Sequence, residues 1–218
     1  MSDAHTHAPP DFDAAFRAKF RELLEWRRDV REFRIDPISD GMFERLVEIA
    51  CLAPSVGLSQ PWRFVLVDDP DRREAVRRSF EACNQEALQC QRGERAMLYA
   101  RLKLAGLNQA PVQFAVYADQ ETEQGHLLGR RTMPETLMYS AVAAVQTMWL
   151  AAQIEGLGLG WVSIINPEAV DAALLVPESW RFVGYFCLGY PAHPDDVPAL
   201  QRAGWEHRHD FSEFITRR

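Results

Sequence analysis

Three arginines and one aspartate fall within five consecutive positions near the start of the chain, in WRRDVR at 26–31. Guanidinium groups bind phosphate through forked, charge-assisted hydrogen bonds, so Arg27, Arg28 and Arg31 predict a phosphate site. Asp29 is unexpected there, because a carboxylate weakens anion binding unless it has a separate role. A solvated charge run at a helix end is the other interpretation, and for such a cluster taken alone it is the more common one.

Composition favours a small anionic ligand over a polyanion. The chain has 218 residues and a formal net charge of −7, which argues against a general nucleic-acid surface. Its four cysteines have no metal-type spacing, so we predict no metal site. No signal peptide and no uninterrupted apolar run of membrane-spanning length is visible, which predicts a cytoplasmic protein with no membrane partner. We expect a flexible tail at 1–12 and a single domain over 13–218.

Two segments are expected to position the arginine cluster and its ligand. Apolar residues at helical spacing before Trp26 predict a helix that ends close to 27–29, so the cluster lies on the following turn. The loop APSVGLSQP at 53–61 leads into a strand, and its irregular backbone has donors free for a ligand, although an ordinary connector is equally compatible. The long stretch at 84–110 is either a lid over a site or a packed helical hairpin.

A long apolar helix at 135–155 precedes the glycine-rich segment GLGLG at 156–160. The order helix, glycines, strand is the reverse of a dinucleotide-binding fingerprint, which excludes a Rossmann motif. We expect Gly158 and Gly160 to let a flat group approach the backbone. Strands at 64–68, 112–118, 160–165 and 182–189 alternate with helices. This pattern predicts an α+β fold, an α/β sandwich whose mixed central sheet is flanked by helices.

The motifs together carry a specific resemblance. An RRxxRxF start at 27–33, an APS…QPW loop at 53–62, a GLG turn after a long helix and a late LGYP at 188–191 resemble the FMN-dependent nitroreductase superfamily. Asp29 replaces the family's serine and Leu58 replaces its usual asparagine. These departures resemble the 5,6-dimethylbenzimidazole synthase family, whose members fragment their own reduced flavin with O2 to make the lower ligand of vitamin B12.

The resemblance implies roles for individual residues. Asp29 is the implied general base, removing a proton at ribityl C1′, and Ser163 is implied to hydrogen-bond near the flavin N5. Whether neighbouring arginines lower the pKa of Asp29 or burial raises it stays open. Arg208 is the implied C-terminal phosphate ligand, with Arg202 as the alternative. The implied cofactor-binding residues are Arg27, Arg28, Asp29, Val30, Arg31, Ser55, Ser59, Gln60, Pro61, Leu107, Trp161, Val162, Ser163 and Arg208.

The resemblance also implies partners. Reduced FMN and O2 are the implied substrates, with NAD(P)H as the electron source, either directly or through a separate flavin reductase. An intertwined homodimer with FMN between the subunits is implied, and the helix at 135–155 and the segment 211–215 are compatible with it. A conventional nitroreductase or flavin reductase that retains its FMN is the alternative, and a non-catalytic FMN-binding protein is a third reading.

Overall fold

The computed structural model describes residues 10–102 and 104–218. The first nine residues of the tail predicted at 1–12 lie outside the described residues, and the remaining three are exposed. The α-helices are α1 (Ala14–Trp26), α2 (Met42–Ala50), α3 (Pro70–Gln89), α4 (Glu94–Tyr99), α5 (Thr136–Ile154), α6 (Pro167–Leu174) and α7 (Ala199–Arg202). The strands are β1 (Trp62–Leu66), β2 (Val112–Asp119), β3 (Gly158–Val162) and β4 (Trp180–Gly189).

The four strands form one sheet in the order β1-β2-β4-β3, and every neighbouring pair is antiparallel. The sheet is less mixed than the sequence predicts, because parallel pairing in the described chain is limited to one bridge between Asp29 and Leu159. That bridge lies on the outer edge of β3. It attaches the arginine-rich turn to the sheet directly after α1 ends.

Helices cover both faces of the sheet and divide the core into two clusters. On one face, α5 packs against α2 and the sheet, as expected from its apolar composition. On the other face, α3 packs against α6 over a cluster that includes Tyr117 and Tyr185. The α5 helix is long and apolar enough to cross a membrane by length and composition, but half of its most apolar window is buried inside this fold.

The segment predicted as a lid or hairpin at 84–110 packs against the C-terminal region. Tyr99 at the end of α4 is buried, and its hydroxyl donates to Asn84 Oδ1 at 2.9 Å. The Tyr99 ring meets the Trp205 ring edge-on, with centroids 6.0 Å apart, and the Arg95 guanidinium lies 5.1 Å from the Trp205 ring centroid. These contacts place the segment against the C-terminal region, while closure over a ligand stays a prediction.

Candidate active site

The turn that carries Asp29 is held against β3 by its own backbone. Val30 N donates to Leu159 O at 3.0 Å, which is the hydrogen bond of the parallel bridge. A Cβ added at Gly160 would lie 2.1 Å from the Val30 carbonyl oxygen, and one at Gly158 would lie 2.4 Å from Val30 Cγ2. The expectation that these glycines admit a flat ligand is therefore wrong at this point, because the close approach is made by the chain itself.

The Asp29 carboxylate has two partners in the protein. Its Oδ1 accepts from the Trp161 backbone N–H at 2.9 Å, and its Oδ2 accepts from the Arg31 guanidinium. Burial raises the pKa of Asp29 above the ordinary aspartate value, although Arg31 and the Trp161 hydrogen bond act in the opposite direction. The structure thus answers the question that the sequence left open: burial has the larger effect. A third of the side chain, 34%, remains accessible.

Arg31 binds protein acceptors through both ends of its guanidinium, as Arg28 does through the Arg27 and Asp196 carbonyls, but Arg31 alone hydrogen-bonds to Asp29. One terminal nitrogen of its guanidinium donates to Asp29, and the other donates to the Leu104 carbonyl. Both ends of the fork are therefore engaged by protein acceptors. The structure gives Arg31 partners other than the phosphate that the sequence pattern assigned to it.

Arg27, Arg28 and Arg208 form a group of mutually repelling cations. Burial lowers the pKa of Arg27 and of Arg28, and the nearby Arg208 lowers both further. The Arg28 Nε atom is buried without a hydrogen-bond partner, which is costly unless an anion completes the site. Arg202, the alternative to Arg208, is instead paired with Asp195. The three cations form a candidate phosphate site, although of the three Arg28 alone lines the cavity beside Asp29.

Trp149 of α5 contacts both Arg27 and Arg28, a role that the sequence does not reveal. Its indole Nε1 donates to the Arg28 carbonyl at 3.0 Å, and the Arg27 guanidinium lies 5.1 Å from its ring centroid. The position looks like any other aromatic on a buried helix. Its sequence signal is therefore indistinguishable from that of a core residue.

A cavity of about 340 Å³ opens beside Asp29. Its walls come from the end of α1, the turn after it, the 101–102 part of the predicted lid and the C-terminal segment 191–203. Arg28, Asp29 and Arg31 all line it. The candidate base and one candidate phosphate ligand therefore face one space.

The serine-containing loop is well ordered but forms a separate region. Ser55 Oγ accepts from Gln60 N at 3.1 Å, and Gln60 adopts a positive φ of 41°. Ser59 is 1% exposed, and its hydroxyl has no partner in the described chain. Pro61 is buried next to β1. None of these residues lines the cavity beside Asp29.

The serine-containing loop and the arginine-rich turn contact α5 at different points along its length. Val56 N donates to Ser140 Oγ at 3.0 Å, whereas Trp149 contacts the arginine turn. Nine residues separate the two contact points on this helix, which at 1.5 Å per residue is about 14 Å. The serine loop and the turn that carries Asp29 therefore lie beside different parts of α5.

The remaining candidate residues are divided between core and surface. Ser163 follows β3 and is exposed, outside the strand that was expected to contain it. Val162 and Leu107 are buried in the second core cluster, and the Leu107 carbonyl accepts from Gln113 Nε2 at 2.7 Å. The Trp161 indole packs over Gly184, so Trp161 reaches the site through its backbone N–H.

Comparison with known proteins agrees with this fold. Residues 24–190 match the model of the nitroreductase family. The structure is similar to iodotyrosine deiodinase bound to FMN and 3-iodo-L-tyrosine, with a TM-score of 0.71 and 22% identity over 90% of this chain and 97% of that one. A nitroreductase family protein from Clostridium difficile 630 gives a TM-score of 0.65 at 18% identity, covering 89% and 95% of the two chains. The chain therefore belongs to the nitroreductase family, a family of oxidoreductases.

Its similarity within the family is more specific. The chain is 53% identical over 199 residues to the 5,6-dimethylbenzimidazole synthase of Rhodospirillum rubrum, covering 91% of this chain and 94% of that protein. It is 46% identical over 196 residues to a 5,6-dimethylbenzimidazole synthase of Rhodobacter capsulatus, covering 90% and 95%. These identities assign the chain to the 5,6-dimethylbenzimidazole synthases.

Proposed function

We propose that this protein fragments reduced FMN in the presence of O2, releasing 5,6-dimethylbenzimidazole and erythrose 4-phosphate. The observation that carries the proposal is Asp29, a carboxylate with a raised pKa that lines the same cavity as Arg28. The identity to curated synthases over nearly the whole chain supports the same assignment.

The phosphate of FMN is assigned to Arg27, Arg28 and Arg208. Arg208 lowers the pKa of Arg27 and of Arg28, and a phosphate dianion would relieve that repulsion. The unpartnered Arg28 Nε gives the anion a buried donor. Trp149 fixes the backbone of Arg28, so the donors are held in place before a ligand arrives.

Asp29 is assigned as the base that removes the proton from ribityl C1′. When bound, reduced FMN supplies the electrons for the reaction with O2, and they originate from NAD(P)H directly or through a separate reductase. A carboxylate accepts a proton more readily when burial raises its pKa towards the working pH. The Trp161 N–H holds Oδ1 in place, which fixes the direction in which the carboxylate faces the cavity.

A second copy of the chain is proposed to complete the site. The serine loop and Ser163 do not line the cavity beside Asp29, so a partner subunit would bring its own copies of these groups to the flavin. The chain exposes large apolar side chains that such a homodimer would bury. They lie on or just before α1 and near the C-terminus: Phe12, Phe16, Phe20, Phe211, Phe214 and Ile215.

A single-turnover experiment tests the proposal. Purified protein with FMN is reduced chemically without oxygen, exposed to air, and analysed by chromatography with mass detection. We expect 5,6-dimethylbenzimidazole to appear as flavin is lost. The Asp29→Asn variant should bind FMN but form product ~10²–10⁴-fold more slowly, the usual contribution of a positioned acid–base group.

The matched control is Asp36→Asn, which removes an exposed carboxylate that is also paired with an arginine two positions away. It should retain the full rate. Quantitative return of intact FMN from the unmodified protein would identify a flavin reductase or nitroreductase instead. Substantial product from Asp29→Asn would remove the base assignment.

A further inference from the structure

We propose that Arg31 is a positioning residue that joins segment 104–106 to the Asp29 carboxylate. The inference rests on the proposed function, because it concerns the base of that reaction. It assigns to Arg31 a role distinct from phosphate binding. It also gives the predicted lid at 84–110 a direct connection to the reacting side of the cavity.

The guanidinium of Arg31 bridges two separate parts of the chain. Its two terminal nitrogens donate to Asp29 Oδ2 and to the Leu104 carbonyl, and its side chain is 22% exposed. A guanidinium is planar and rigid, so its two nitrogens fix both acceptors in one plane. Any movement of the Leu104 carbonyl therefore changes how Arg31 meets Asp29.

Segment 104–106 is fixed at its far end by close packing. A Cβ added at Gly106 would lie 2.3 Å from Cε2 of the Phe33 ring, and Phe33 is 3% exposed. The Gly106 backbone also interacts with the buried Cys187 thiol of β4. The Leu104 carbonyl is thus presented from a segment that is anchored two residues later, next to the core.

Arg31 is the strongest of the groups that oppose the effect of burial on Asp29. The groups that act directly on this carboxylate are Arg31 and Arg27 from its own turn, the Trp161 N–H from β3 and the neutral Cys187 thiol from β4. The other charged or titratable residues that line the cavity beside it are Arg28, Glu32, Arg101, His193, Asp195 and Arg202. Burial raises the pKa of Asp29, and Arg31 limits that rise. Displacing the guanidinium would leave only weaker interactions to oppose the effect of burial. The pKa of Asp29 would then rise further.

Two variants separate the charge of Arg31 from its forked geometry. Arg31→Met removes both, whereas Arg31→Lys retains a positive charge but cannot hold two acceptors in one plane. The Asp29 titration is followed in the full-length protein by ¹³C NMR of labelled aspartate, with Asp29→Asn identifying the signal. Hydrogen exchange of the amides at 104–106 reports the connection to the segment, and neither measurement requires turnover.

We expect Arg31→Met to move the Asp29 titration to higher pH and to accelerate exchange at 104–106. Arg31→Lys should leave the titration close to that of the unmodified protein but accelerate exchange. In single-turnover assays, the acidic limb of the pH–rate profile should move to higher pH in Arg31→Met but not in Arg31→Lys. These assays also separate the two proposals. If the unmodified protein forms no 5,6-dimethylbenzimidazole, the proposed function is refuted, while the NMR and exchange results still test the role of Arg31.

The control is Arg34→Met, which removes another arginine paired with an aspartate two positions away, but on the surface. It should leave both the Asp29 titration and the exchange at 104–106 unchanged. An unchanged or downward-shifted Asp29 titration in Arg31→Met would overturn the positioning role. Unchanged exchange at 104–106 in both Arg31 variants would overturn the connection to the segment.

Discussion

Substituting the two glycines of β3 tests whether close packing of the turn positions Asp29. In Gly160→Ala the new Cβ would lie 2.1 Å from the Val30 carbonyl oxygen, and real Cβ contacts are essentially never under 3.0 Å. The backbone of the turn must therefore move by about 1 Å, and a displacement of that size can reduce a catalytic rate by ~10²-fold. Overpacking should also lower the free energy of unfolding by about 1–3 kcal/mol.

Gly158→Ala should behave differently because its clash is with a side chain. The nearest atom is Val30 Cγ2 at 2.4 Å, so Val30→Ala in the same chain removes the closest contact and leaves Val30 Cβ at 2.9 Å and Pro191 Cγ at 3.0 Å. We expect Val30→Ala to restore part of the stability and product formation of Gly158→Ala, but none of that lost in Gly160→Ala. Neither glycine has a positive φ, so the alanines introduce contact and not backbone strain.

The assays are denaturant unfolding and single-turnover formation of 5,6-dimethylbenzimidazole, analysed as double-mutant cycles. Gly156→Ala is the control, since its added Cβ meets no atom within 4 Å while its φ is +71°. It should lose about 1–2 kcal/mol of stability from the left-handed backbone alone and keep its rate per folded molecule. A Gly160→Ala variant with unchanged stability and rate would refute the packing argument, as would its rescue by Val30→Ala.

Two further predictions follow from the charges around the cavity. Because the folded-state pKa of Asp29 is raised, its ionisation costs stability as pH rises from the unfolded-state pKa through the folded-state pKa. Thermal unfolding should therefore show Asp29→Asn to be more stable than the unmodified protein at pH 7. The difference in stability should vanish in acid. A variant that is less stable at pH 7 would contradict the raised pKa. Arg28→Met should weaken FMN binding by ~10–100-fold, the equivalent of about 1.5–3 kcal/mol for a charged hydrogen bond, but leave riboflavin binding unchanged. Fluorescence titration measures both ligands, with the exposed Arg21→Met as control, and an equal loss for riboflavin would argue against a phosphate contact.

The sequence predicts the fold and its main helices well, because these depend on local patterns. The end of α1 at Trp26 follows from helical periodicity, and the arginine turn then lies directly after it. The central helix α5 follows from its apolar composition in the same way. Such features need no knowledge of which residues meet across the fold.

The individual roles within the cluster could not be predicted, because they depend on contacts distant in sequence. The sequence does not show that Arg31 pairs with Asp29 and also donates to the Leu104 carbonyl, 73 positions away. The glycines of β3 were expected to face a ligand, but Val30, more than 120 positions earlier, fills that space. Composition also cannot rank burial against neighbouring charge at Asp29.

The bridge between Asp29 and Leu159 has a consequence for the thermodynamics of ligand binding. Because the turn is already hydrogen-bonded to a strand of the central sheet, its backbone is ordered when the chain folds and not when a ligand arrives. Binding then avoids the entropy loss of organising the loop, so more of the contact energy remains as affinity. The turn also joins the cooperative unit of the sheet, so it should open only in the larger fluctuations that separate β3 from its neighbours.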